Sequence, residues 1–197
     1  MKKVTKITRW ILGAAVLFAA FSSPAKAASN GYVDIKVSIS ATKSIQIVGT
    51  TTYTFGALSL NTSSNSATAI VVRNDSGAYI ETYRLQAGDA LADVVGENDW
   101  TLASSTAPDT YSLAAQFSTS RPTNVADTHN WDSSDYLTSS AQTCTADLFG
   151  NNTLGESGAS VQPTAALRDR NLWFRIHTPD VSTGVSGRTA QVTLSIL

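Results

Sequence analysis

The chain has 197 residues, 14 Lys and Arg against 15 Asp and Glu, a net charge of −1, two histidines and one cysteine. So few basic residues exclude a dedicated nucleic-acid binder, which needs them clustered. A single cysteine excludes an internal disulfide, and with two separated histidines it makes no structural zinc set.

In chain order, Met1 to Arg9 carries Lys2, Lys3, Lys6 and Arg9, and an apolar run from Trp10 to Phe21 follows. The run is too short to cross a bilayer and ends at Ser22, Ser23, Pro24 and the small-residue site Ala25-Lys26-Ala27. This pattern predicts a secretory signal peptide over residues 1–27, cleaved after Ala27. Cleavage leaves residues 28–197, a length suited to one domain with its own core. It also removes Lys26 and the four earlier basic residues, leaving nine basic against fifteen acidic. No later apolar run is long enough for a transmembrane segment, so the expected location is secreted, periplasmic or on the cell surface.

Tyr32 to Ser40, Y-V-D-I-K-V-S-I-S, alternates strictly, with Val33, Ile35, Val37 and Ile39 on one face. That is a strand with one buried side. Burying four such side chains contributes about 6 to 10 kcal/mol before entropy, so the strand belongs in a sheet, its own or a neighbour's. A second short strand is expected over 43–48.

Thr52 to Gln86 holds three blocks rich in Val, Ile, Thr, Tyr and Phe: T-Y-T-F-G-A-L-S-L, A-T-A-I-V-V-R-N-D-S-G and A-Y-I-E-T-Y-R-L-Q. Each closes on Asn, Ser, Asp or Gly, the punctuation of successive antiparallel strands. A bend is expected at Phe55-Gly56 and a tight turn at Asn74-Asp75-Ser76-Gly77. Further strands are predicted near Trp100 to Ala103, over Tyr111 to Ser118, over Asn171 to Thr178 and over Arg188 to Leu197. The last aligns Ala190, Val192, Leu194 and Ile196 on one face. Residues 119–170 read as a long irregular excursion, partly packed through Trp131, Tyr136, Leu137, Leu148 and Phe149. Helical periodicity is nowhere sustained beyond a turn, with Pro163 to Arg168 the best candidate. The expected fold is all-β, a single antiparallel immunoglobulin-like β-sandwich.

No catalytic constellation emerges. The elbow G-x-S-x-G does not occur, and His177 falls on the polar face of its strand and reads as a plain surface residue. Asp89, Asp93, Glu97 and Asp99 crowd one segment, and Asp127, Asn130, Asp132 and Asp135 another. Both offer oxygen ligands for calcium, but neither has the spacing of an EF-hand loop, and solvated loops are the plainer reading. Cys144 reads as a small buried residue. Trp131, Tyr136 and Trp173 are candidate aromatics for stacking on sugar rings. The expectation is a non-enzymatic protein with no cofactor.

The signal-like start followed at once by V-D-I-K-V-S-I-S, the T-Y-T-F-G block and the closing R-T-A-Q-V-T-L-S-I-L strand resemble exported fimbrial subunits of the chaperone-usher kind and the related secreted spore coat protein U domains. The chain differs from those subunits in having Ala41-Thr42-Lys43-Ser44 where they commonly carry a cysteine of a bridging pair. It also has Ile196 where they usually have an aromatic. The resemblance implies a structural subunit whose partners are copies of itself or other surface proteins. Assembly by strand addition would use Val33, Ile35, Val37 and Ile39 with Val192, Leu194 and Ile196. The alternative partner is a polysaccharide, held by the three aromatics.

Overall fold

The computed structural model describes residues 42–123, 131–150 and 156–197. Contacts group Ser40–Leu197 as one compact unit, and only that unit is described. The predicted signal peptide and the alternating stretch Val33 to Ile39 lie outside the described residues, as do Asp127, His129 and Asn130.

The unit is all-β. Its strands are β1 (Ile45–Val48), β2 (Ser63–Asn65), β3 (Ile70–Asn74), β4 (Tyr83–Ala92), β5 (Thr101–Leu102), β6 (Thr110–Phe117), β7 (Gln142–Thr143), β8 (Asp169–His177) and β9 (Arg188–Ile196). One sheet runs β1-β3-β8-β6-β5 with β2 also on β8, and a second runs β7-β4-β9. Strand β8 is the axis of the first sheet. Along one edge it pairs with β3 through Asp169 to Leu172 and with β2 through Arg175 to His177. Along the other it pairs with β6, Leu172 opposite Phe117 and His177 opposite Ser112.

The two sheets share one core. Ile70 and Val72 of β3, Leu172 and Phe174 of β8, and Tyr111, Leu113, Ala115 and Phe117 of β6 meet Tyr83, Leu85 and Ala87 of β4 in a single buried cluster. Tyr83 and Phe117 pack ring to ring across it, centroids 5.8 Å apart. Alternation explains this: each strand sends every second side chain inward, and those positions hold the large apolar residues. Strand β6 departs from one-sided burial, because Ser112, Ala114 and Gln116 on its other face are buried as well.

The β4/β6 side of the unit is closed. A bulge between Ala87 and Ala90 bends β4, and beyond it Ala90 exchanges backbone hydrogen bonds with Trp100 (2.8 and 2.9 Å), which leads straight into β5 on β6. Such a bulge adds twist and re-aims a strand. Lower down the excursion does the same work. Leu137 N–H donates to Leu113 and Ala87 N–H to Thr138, so residues 136–138 link β6 to β4. Leu137, Cys144, Phe149 and Val161 then enter the core. Burial holds the Cys144 thiol neutral, its pKa pushed up to about 12.

Two expectations need correction. The T-Y-T-F-G-A-L-S-L block is not a strand: Tyr53 and Phe55 pack edge to face, 4.8 Å apart, and lean on the core from a loop that turns at Gly56, φ 75°. The polar break after it contains β2 instead, whose Ser63–Asn65 sequence carries no apolar signal. The sheets are not wholly antiparallel, since β5 runs parallel to β6. Pro163 to Arg168 goes no further than the single turn its sequence allows, closed by Leu167 N–H on Thr164 at 2.9 Å.

Candidate functional site

Away from the β4/β6 closure each sheet ends in an edge strand, and the line where those two margins approach each other is the seam. Among the described residues β1 ends the first sheet and β9 ends the second, each paired along one edge only. Among the described residues their outer backbone N–H and C=O groups have no ladder partner, and an edge of this kind can take another strand.

The side chains of the seam repeat the message. On β9 the inward residues Ala190, Val192, Leu194 and Ile196 are only half-buried, whereas Ala90, Ala87, Leu85 and Tyr83, directly opposite them on β4, are fully buried. On β1, Ile45 and Ile47 are likewise half-buried beside Asn74 and Val72, which are completely enclosed. Residues facing the same interior are thus fully covered in the middle of each sheet and only partly covered at these two margins.

One end of the seam is tied. Lys43 Nζ donates to the main-chain oxygen of Leu197 at 2.6 Å, Leu197 N–H donates to Thr82 at 2.9 Å, and Ser44 N–H donates to the Glu81 carboxylate at 2.9 Å. Glu81 is buried, and its pKa is raised because desolvation outweighs the bond from Ser44 and the nearby charge of Lys43. These contacts hold the start of β1 against the end of β9 and fix the width of the opening there.

Of the sequence-derived assembly residues, Val192, Leu194 and Ile196 lie on the seam, and Val33, Ile35, Val37 and Ile39 lie outside the described residues. Ile45 and Ile47 were not singled out by sequence, although the short alternation I-Q-I-V was their signal.

The candidate sugar-stacking aromatics make no ring contact with one another. Trp173 is half-buried on the outer face of β8, with Nε1 donating to Ser118 at 3.0 Å. Tyr136 bridges Ala114 at the edge of β6. Trp131 is half-buried, and its Nε1 is enclosed with no hydrogen-bond partner among the described residues.

The acidic clusters serve as loop braces. Asp89 accepts from Leu102 N–H (2.9 Å), Asp99 from Ala92 N–H (2.8 Å), and Asp93 from the Thr189 hydroxyl (3.2 Å). Glu97 accepts from Ser186 N–H and Oγ, from Val185 N–H and from Arg188 Nη1 at 3.0 Å, and these bonds hold its pKa down at about 2. Arg188 in turn lies over the Trp100 ring, 5.4 Å from its centroid. Asp132 caps a short 3-10 turn, Ser133–Asp135, by accepting from Ser134 N–H. Asp135 is completely buried, and desolvation raises its pKa to about 7. Among the described residues no three acidic, histidine or cysteine side chains converge as a metal site. No helix of the described residues is long and apolar enough to cross a membrane.

His177 lies on the outer, polar face of β8, as expected. It is half-buried between Ser63 Oγ on Nδ1 and Asn61 Oδ1 on Nε2, both 3.2 Å away.

No protein-family model, curated protein or solved structure matches the chain.

Proposed function

We propose that this is an exported, non-enzymatic structural subunit of immunoglobulin-like β-sandwich type, which joins copies of itself end to end on the cell surface by strand addition. The observation that carries the reading is the seam. Two edge strands, β1 and β9, present half-buried inward residues beside fully buried neighbours, and the margin of an apolar core lies open between them. The alternating segment Val33 to Ile39 has the length and pattern of a strand that would fill the seam, four apolar side chains on one face. Inserted into the seam of a neighbour, it would supply main-chain hydrogen bonds to the edge strands and cover Ile45, Ile47, Val192, Leu194 and Ile196. Such a contact is head to tail and need not close, so it builds a fibre.

Negative-stain microscopy of the chain from Ala28 onward tests the reading. Filaments are expected, and Ile35→Asp, which places a charge on the inserted face, should abolish them while leaving folded particles. Monodisperse single subunits at every concentration would contradict it.

A further inference from the structure

The outer face of the first sheet carries a second feature that subunit joining does not use. Alternation along β8 sends Trp173, Arg175 and His177 to the same side. Arg175 Nη2 donates to Ser63 Oγ at 3.3 Å, and Ser63 Oγ lies 3.2 Å from His177 Nδ1. One proton arrangement satisfies the row. Arg175, a donor only, gives to Ser63; the Ser63 hydroxyl gives to Nδ1; and Nε2–H gives to Asn61 Oδ1. The chain of bonds fixes the Arg175 guanidinium on a rigid strand.

Arg121 stands beside it. Its Nε donates to Ser66 at 2.8 Å and its Nη2 to Asn65 at 3.0 Å, and Asn65 is the register partner of Arg175. Both arginines therefore bond to the β2 segment, Arg175 at Ser63 and Arg121 at Asn65 and Ser66. Neither has a carboxylate within ion-pair distance among the described residues. The contrast is on the same face: Arg73 is held by Asp169 through two bonds of 2.7 and 2.9 Å. Two arginines on one short strand segment, neither paired with a carboxylate among the described residues, keep donors that charge-assisted bonds to an anion can use.

We propose that this face binds an anionic polysaccharide, with Arg175 and Arg121 holding a carboxylate or sulfate group and the sugar ring lying along Trp173. A polysaccharide fits better than nucleic acid. The chain has fewer basic than acidic residues, too few for a run of phosphates, whereas two arginines beside an indole and short amides suit a sugar of sparse charge. The inference is independent of whether the subunits polymerise.

The test is biolayer interferometry of the chain from Ala28 onward on surfaces carrying polygalacturonate, dextran sulfate, neutral dextran or single-stranded DNA, at low and at physiological salt. Binding is expected to one or both anionic polysaccharides and not to dextran, weakening as salt rises. Arg175→Gln should lower affinity about tenfold at an unchanged melting temperature, the loss of one charge-assisted contact. Arg84→Gln, which removes the same charge from β4 of the other sheet, should leave binding intact. Arg121→Gln provides a second variant should Arg175→Gln prove unfolded. No binding of the unsubstituted chain to either polyanion, equal losses in the Arg175 and Arg84 variants, or equally tight capture by DNA would each overturn the proposal.

Discussion

Lys43 and Leu197, 154 positions apart in sequence, meet where Lys43 Nζ donates to the Leu197 main-chain oxygen at 2.6 Å. The contact joins the residues flanking the two edge strands and marks the closed end of the seam. Beyond it the same interior that buries Leu85 completely leaves Leu194, its register partner, half-exposed.

That difference sets the first prediction. Leu85→Ala should cost about 3 to 5 kcal/mol, the usual loss for truncating an enclosed leucine. Leu194→Ala should cost only about 1 to 2 kcal/mol in the isolated subunit, because part of its surface is already in water. Urea denaturation of monomeric protein checks both, and equal costs would mean that the seam is already filled.

How much of this was legible in the sequence follows the same physics. Strands β3, β6, β8 and β9, and β4 as far as Gln86, announce themselves because each alternates around large apolar side chains that must face a core; the rest of β4, to Ala92, does not, because its bulge at Gly88 and Asp89 breaks the alternation. Strand β2 does not, because Ser63, Ser64 and Asn65 are held by backbone pairing to His177, Ile176 and Arg175 rather than by burial. Tyr53 and Phe55 have the composition of a strand, yet they sit in a loop, because aromatic residues can lean on a core from any backbone. The seam was half readable: Val192, Leu194 and Ile196 share a visible face, but that β9 would be an edge depends on long-range pairing. The row Arg175, Ser63, His177 and Asn61 was invisible, since its members are joined only by register.

The second prediction concerns Asp135. Its Oδ2 accepts from Asp132 N–H at 2.9 Å and from Gln116 Nε2 at 3.4 Å, and its Oδ1 is buried with no partner among the described residues. Burial raises its pKa from 3.8 to about 7. Between those values the folded chain holds a proton that the unfolded chain has lost, so stability falls as pH rises from about 4 to 7 and then levels. The fall should total at most about 4 kcal/mol. Asp135→Asn, which keeps an acceptor for Asp132 and cannot ionise, should flatten the decline and raise stability at pH 8. Thermal melts across this range decide it.

Glu97 gives the opposite sign, and the third prediction. Bonds from Ser186, Arg188 and Val185 lower its pKa from 4.5 to about 2, so its contribution is present above pH 4.5 and disappears as pH falls toward 2. Glu97→Gln should therefore melt lower than the unsubstituted protein at neutral pH, and the two should converge in acid. A constant difference down to pH 2 would show that the clamp to the 185–188 loop does not depend on charge.

The central claim is that Val33 to Ile39 of one subunit fills the seam of the next. The direct measurement is a disulfide trap. Val37→Cys and Val192→Cys are combined with Cys144→Ala in the chain from Ala28 onward, oxidised after assembly, and run on non-reducing gels. Strand addition between subunits predicts a ladder of covalent multimers that collapses on reduction. A cross-link confined to single chains, or none at all while filaments form, would contradict it.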